Sequence, residues 1–155
     1  MAIENKKKLH QEFAVDLFNQ TWDLIEEEER DQAGNDRMIN AAHGSRYHWE
    51  IAGTGEHVAR GEWLISRVYA ILNRKEPCLY HADRCLKVTL ENDLKDFDLA
   101  FAYEAMARAS NLVGDEVETA KYITLAKDAG AEIDDPDDRK YFFSELKTIQ
   151  PGMVE

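Results

Sequence analysis

The 155-residue sequence has few of the residues that interrupt or cross-link regular structure: three prolines, eight glycines and two cysteines. So few breakers exclude a loop-rich or low-complexity chain and favour long regular elements. No run of apolar residues approaches the roughly 18 that a membrane-spanning helix needs, so we expect no membrane segment. With 44% apolar residues, the chain has the length and composition of a single globular domain over residues 1–155.

Basic residues are also scarce. Nineteen Lys and Arg against 31 Asp and Glu give a net charge of −12, which argues against nucleic-acid binding because a phosphate backbone would be repelled. Cys78 and Cys85 are separated by about 10 Å in a helical pattern, beyond the roughly 7 Å limit for a disulfide. Two buried free thiols suit a reducing compartment. Because Gln11, Glu12 and Asp16 interrupt the apolar run that a secretion signal would need, we expect a cytoplasmic protein.

Apolar residues recur at spacings of three and four along almost the whole chain, and no alternating strand pattern is present. The spacing predicts an all-α protein of about seven helices, at residues 7–29, 35–49, 56–73, 76–91, 97–113, 115–129 and 136–149. Because the connections are short, neighbouring helices should pack as antiparallel hairpins. We expect stacked hairpins over about 7–51, 56–91 and 97–129, with a C-terminal capping helix over about 136–149.

Several residues mark the expected helix ends. Asn35 is a candidate N-cap of the second helix, and Asp135 followed by Pro136 is typical of the start of the last one. Gly114 and Gly130 are typical C-cap glycines, and they predict the ends of the fifth and sixth helices.

Large and small residues follow the same order in two successive helix pairs. The first unit starts at Ala59 and the second at Ala100. The matching residues are Ile65, Ser66, Tyr69, Cys78, Ala82 and Cys85 in the first unit, and Tyr103, Met106, Ala107, Thr119, Ile123 and Ala126 in the second. This pattern resembles the tetratricopeptide repeat, although the units are spaced further apart than its 34 or so residues, which favours a compact bundle. The chain is also similar to a group of uncharacterised bacterial tetratricopeptide-like proteins of comparable length.

Residues 59–92 carry six basic and four acidic side chains, so this hairpin is locally basic within an acidic protein. Arg60, Trp63 and Arg67 recur at spacings of three and four and therefore share one helix face. In tetratricopeptide repeats the first helix of each unit lines a concave groove, and the resemblance implies that these three residues face it. Phe101, Glu104 and Arg108 occupy the equivalent places in the next unit.

Two guanidinium groups beside an indole suit a carboxylate or phosphate, because the planar fork binds two oxygens and the ring takes apolar contact. The predicted ligand-binding residues are Arg60, Trp63, Arg67, Phe101 and Arg108. We therefore expect a non-catalytic protein-interaction module that binds an acidic or C-terminal peptide segment, or a partner subunit, in a concave groove. Self-association through an exposed apolar edge is a further alternative, with a homo-oligomer as its product.

The same arginines have a competing interpretation as internal ion pairs. Glu12, Asp16 and Asp23 form an acidic strip on the first helix, and they would neutralise Arg60 and Arg67 if that helix lies beside the third. Glu104 would likewise pair with Arg108, one helical turn away.

A second candidate function is a small-molecule sensor or enzyme. Its pocket would be formed by His43, Arg46, His48, Glu62 and Arg67, with a histidine as general base, Glu62 orienting it and Arg67 holding an anion. A metal site is not expected, because His43 and His48 are turned roughly 140° from each other on a regular helix and no metal-ligand motif is present. No cofactor motif is present either.

Overall fold

The computed structural model describes residues 2–151, and within that range the chain forms seven α-helices and no strand. The helices are α1 (Ile3–Glu26), α2 (Gln32–Ala52), α3 (Gly55–Ile71), α4 (Lys75–Glu91), α5 (Asp96–Val113), α6 (Glu116–Ala131) and α7 (Pro136–Leu146). The predicted all-α class is confirmed. Apolar periodicity was the correct guide because each helix buries one stripe against its neighbours.

Consecutive helices form the main packing contacts. The helices α1 and α2, α3 and α4, and α5 and α6 pack as three hairpins, and α2–α3 and α4–α5 contacts join them into a stack. The helix α7 packs against α5 and α6 and covers the end of the stack. Since Trp22 of α1 stacks on Trp63 of α3, α3 contacts α5 and α5 contacts α7, the odd-numbered helices form one continuous side, which we call the odd-helix face.

The interior consists of three apolar clusters. They are centred on Phe142 and Ile133 near the C-terminus, on Met38 and Leu64 between α2 and α3, and on Cys78 and Met106 between α4 and α5. Trp63 packs against all three clusters. Its indole therefore lies at the junction between the hairpins.

The start of α2 differs from the prediction. The side chain of Asp31, and not that of Asn35, caps the helix by accepting a hydrogen bond from the Gly34 amide at 2.8 Å. Asn35 lies within the first turn, and its side-chain oxygen accepts from Arg30 Nε at 3.0 Å. Asp31 takes the cap because its short carboxylate reaches the first free amide groups of the helix, four residues before the predicted start.

The C-terminal ends of the helices separate two roles of glycine. Gly114 ends α5 with a left-handed backbone, φ 85°, as predicted. Gly130 does not end α6, which continues to Ala131 with an ordinary backbone. Asp135 caps α7 by accepting from the amides of Asp137 and Asp138, as predicted, although α7 ends at Leu146 and not at 149.

Candidate functional site

The five predicted binding residues divide into two groups on the odd-helix face. Arg60, Trp63 and Phe101 line one cavity, whereas Arg67 and Arg108 line another. All come from α3 and α5, which present them at helical spacing as the sequence predicts. The structure therefore places all five residues on the odd-helix face, but the charged ones do not converge on a single site.

The first cavity, which we call the aromatic pocket, has a volume of about 430 Å³. Six aromatic side chains line it, all from the odd-numbered helices α1, α3, α5 and α7: Phe18, Trp22, Trp63, Phe97, Phe101 and Tyr141. Its polar lining comes from Arg60, Asp98, Thr89 and Asp138, and Cys85 of α4 also lines it. A mostly apolar cavity of this size with a few placed polar groups is typical of ligand-binding sites.

The rings of the aromatic pocket hold one another in place. Trp22 and Trp63 stack across α1 and α3 with centroids 6.1 Å apart and ring planes inclined by 25°. Phe101 meets Trp63 edge to face at 5.6 Å. Such pairs are favoured by the quadrupoles of the rings and restrict the side chains to few rotamers. The pocket wall is therefore a rigid surface shaped by contacts between different hairpins.

Arg60 stands at the mouth of this pocket and is already paired. Its Nε and Nη2 atoms donate to Oδ1 and Oδ2 of Asp98 at 2.8 and 3.3 Å, and Nη2 also lies 2.7 Å from Oε1 of Glu56. The hydrogen bond that Arg60 donates to Asp98 raises the pKa of the Arg60 guanidinium. The guanidinium group of Arg60, which was expected to bind a ligand carboxylate, thus binds a carboxylate of the same chain. The side chain is 50% exposed, so the pair lies at the surface.

Arg67 and Arg108 are internal. Glu104, whose side chain is 1% exposed, lies 3.4 Å from Arg67 Nη2 and 3.5 Å from Arg108 Nε, and Glu145 of α7 lies 3.2 Å from Arg67 Nη1. Burial lowers the pKa of Arg108, and the nearby charge of Glu104 opposes that shift. The prediction that Arg67 projects into an open groove is wrong, because α7 packs over it and supplies Glu145. The pairing expected between Glu104 and Arg108 is confirmed.

The acidic strip of α1 does not neutralise these arginines. In the part of the chain that the structure describes, none of Glu12, Asp16 and Asp23 forms an ion pair with Arg60 or Arg67. The partners come instead from α3, α5 and α7. Both arginines are therefore paired within the chain, as the competing interpretation expected, but their partners are not the carboxylates of α1.

A separate polar network connects α2, α3 and α4. His81 donates from Nδ1 to Glu62 Oε2 at 2.6 Å, and Arg46 Nε donates to Glu62 Oε1 at 3.1 Å. His43 is hydrogen-bonded to the Tyr69 hydroxyl at 2.9 Å, and its ring packs edge to face on His81. Burial by itself would raise the pKa of Glu62, but hydrogen bonds and positive charge from His81 and Arg46 lower it.

The predicted sensor or enzyme pocket is only partly assembled. His43, Arg46 and Glu62 belong to this network, but His48 contacts His10 on α1, with Nδ1 atoms 2.7 Å apart, and Arg67 belongs to the Glu104 group. Burial and the charge of His81 lower the pKa of His43, so its imidazole is held neutral. The network also includes His81 of α4, which the sequence analysis missed, and Tyr69 of α3, which it named only as a repeat position. The sequence signal for His81 is a polar residue between the small buried side chains of α4.

Residues 2–151 contain no group of three or more His, Cys, Asp or Glu side chains placed to hold a metal ion. No helix among the described residues combines the length and apolar character needed to cross a bilayer. Cys78 and Cys85 are both buried and unpaired. Fold and site together define an all-α protein with an aromatic pocket on its odd-helix face.

Comparison with known proteins adds no relative. No protein-family model, no curated protein and no solved structure matches the chain.

Proposed function

We propose that the protein is a non-catalytic interaction module that binds a segment of a partner protein in the aromatic pocket. The observation that carries this proposal is a rigid cavity of about 430 Å³ lined by six aromatic rings from four helices. Aromatic anchors in a desolvated pocket supply most of the energy of many protein interfaces. The arrangement also supports a tetratricopeptide-like organisation, in which the first helix of each hairpin lines the binding face.

The polar groups of the pocket are suited to orienting a bound segment. The Arg60–Asp98 pair and Asp138 stand around an apolar floor, which is the usual layout of an interface with a buried centre and a polar rim. None of the five histidines lines the pocket, so no imidazole is placed there as a general base. We infer binding and not chemistry at this face. The two buried, unpaired cysteines favour the cytoplasm as the working compartment.

An acidic segment, the ligand expected from the arginines, fits this pocket poorly. It would have to displace Asp98 from both nitrogens of Arg60, and Arg67 is already held by Glu104 and Glu145. It would also approach Asp138, whose carboxylate is exposed. The geometry therefore supports a segment that anchors through a side chain with apolar surface and without negative charge.

The three tryptophans make this proposal testable by NMR, since Trp22 and Trp63 line the pocket whereas Trp49 stacks on His57 outside it. Short peptides with one central phenylalanine and neutral, basic or acidic flanks would be added to 15N-labelled protein. At least one of them should shift the indole N–H signals of Trp22 and Trp63 and leave that of Trp49 unchanged. Unchanged Trp22 and Trp63 signals with all three peptides at about 1 mM would contradict the proposal.

Two tyrosines provide a matched pair of variants for the same titration. Tyr141 lines the pocket and is 45% exposed, and Tyr80 is 56% exposed and lies outside it. We expect Tyr141→Ala to weaken binding several-fold and Tyr80→Ala to leave it unchanged, because only the first removes a pocket wall. Equal effects of the two variants would place the bound segment elsewhere. Sedimentation at high protein concentration would show whether the occupant is a second copy of the chain.

A further inference from the structure

We propose that the anchor taken by the aromatic pocket is a basic side chain, a lysine or arginine of the partner segment, held by its cation against the rings and by the carboxylates at the mouth. This inference rests on the proposed function and names the chemistry of its ligand. It replaces the expectation of an acidic ligand with its opposite, for two structural reasons.

The first reason is the charge at the mouth of the pocket. Arg60 is the single cation in the lining, and it is paired with both Glu56 and Asp98. Asp138 is exposed and forms no ion pair with any residue between 2 and 151. Two carboxylates, Asp98 and Asp138, line the pocket against this one cation, and Glu56 lies beside it, so a positive group is attracted to the mouth and a carboxylate is repelled.

The second reason is the chemistry of the walls. Indole and phenol rings attract a cation to their faces because of the negative charge of the π system, most strongly for tryptophan. The protein already uses this interaction next to the pocket, since Cζ of Arg67, which is not part of the lining, lies 4.8 Å from the centre of the Trp63 ring. The apolar stem of a lysine or arginine would contact Phe97 and Phe101, while its head reaches the carboxylates.

The test uses three short peptides that are identical except for one central residue: lysine, norleucine or glutamate. Norleucine keeps the apolar stem and lacks the ammonium group. We expect the lysine peptide to shift the Trp22 and Trp63 indole signals and to bind with an affinity about tenfold higher than the norleucine peptide. Its affinity should decrease as salt is added. The glutamate peptide should be the weakest of the three.

Two neighbouring aspartates on α7 provide the control. Asp138 lines the pocket and Asp137 does not, although both lie in the first turn and donate their amides to Asp135. Asp138→Asn should weaken the binding of the lysine peptide several-fold, and Asp137→Asn should leave it unchanged.

The outcomes separate the two proposals. If the norleucine peptide binds as tightly as the lysine peptide, or the glutamate peptide binds most tightly, the proposal of a basic anchor is wrong. The proposal that the aromatic pocket binds a partner segment is then still supported. If neither these peptides nor the phenylalanine peptides move the two indole signals, the proposed function fails with it. Equal effects of Asp137→Asn and Asp138→Asn would also overturn the inference, since long-range charge would then explain the preference.

Discussion

Gly130 of α6 lies directly beneath the ring of Phe142 of α7. A Cβ atom on Gly130 would be 2.5 Å from Cε2 and 2.7 Å from Cδ2 of that ring, and 3.0 Å from Cζ of Phe143. Phe142 is fully buried, so its ring has no free space into which it can move. This glycine therefore sets the distance between α6 and α7, and the position of α7 in turn places Tyr141, Asp138 and Glu145 on the odd-helix face.

We expect Gly130→Ala to lower the free energy of unfolding by about 1–2 kcal/mol, because overpacking of a core costs roughly 1–3 kcal/mol and exceeds the gain in helix propensity. The measurement is urea unfolding followed by circular dichroism, with the midpoint read at constant slope. Combining it with Phe142→Leu should cost less than the sum of the two single variants. An alanine variant as stable as the natural protein would contradict the tight contact.

Gly114 is needed for a different reason than Gly130. Its backbone conformation favours glycine, although an added side chain would meet no other atom. Its φ is +85° and no atom lies within 4 Å of an added Cβ, so alanine would be strained only by its own conformation. We expect Gly114→Ala to destabilise the protein by about 1–2 kcal/mol. Gly114→Asn should cost less, because asparagine tolerates the left-handed region better than alanine. Equal losses in the two variants would show that the left-handed conformation is not the cause.

Glu104 is expected to be the most sensitive charged residue. It is buried between Arg67 and Arg108, and Glu104→Gln would leave both guanidiniums without their shared carboxylate. Removing one partner of a buried ion pair typically costs about 3–5 kcal/mol. The surface residue Glu118, which faces Lys121 at 3.8 Å, is the matched control, and Glu118→Gln should change stability by less than about 0.5 kcal/mol. Similar unfolding midpoints for the two variants would rule out a structural role for the Glu104 group.

His43 gives a prediction for pH dependence. Burial and the positive charges of His81 and Arg46 lower its pKa, while Glu62 opposes the shift. The folded protein therefore binds fewer protons at this site than the unfolded chain, so the contribution to stability is present above about pH 6.5 and is lost as the pH falls through the folded-state pKa.

The measurement is the free energy of unfolding between pH 7.5 and 5.5, with about 1 pH unit between points. His43→Gln should reduce the decrease seen on acidification. His48, whose pKa is lowered by burial and by His10, acts in the same direction, so the slope should not vanish. Glu62 contributes to the pH dependence of stability only below about pH 4.3, the ordinary pKa of a glutamate, because its own pKa is lowered. An unchanged slope in His43→Gln would show that His43 is not held neutral by the fold.

The local sequence pattern predicted the helices correctly, but it predicted their ends only in part. Asp135 and Gly114 were identified because cap chemistry depends on residues a few positions apart. Asn35 and Gly130 were misassigned for different reasons. Asn35 competes with Asp31 for the same cap, and both are good N-cap residues. Gly130 has the sequence signature of a C-cap, but its actual reason is the ring of Phe142, a contact between two helices.

The candidate site shows the same division. Spacing alone placed Arg60, Trp63 and Arg67 on one face, because three and four residues are one helical turn. Which carboxylate meets each arginine was out of reach, since Asp98 and Glu145 lie 38 and 78 residues away from their partners. The same holds for the bond between His81 and Glu62, which joins α3 to α4.

The amino-acid sequence by itself determined the all-α class, the number of helices, the acidic net charge and the face on which arginine and tryptophan alternate, because each depends on composition or on residues within one turn. Only the tertiary structure decided that the arginines are paired, that six rings line a cavity and that Asp138 lies at its mouth without an ion-pair partner among residues 2–151. Those features depend on how α1, α3, α5 and α7 approach one another, and that approach is fixed by long-range packing such as the contact of Gly130 with Phe142.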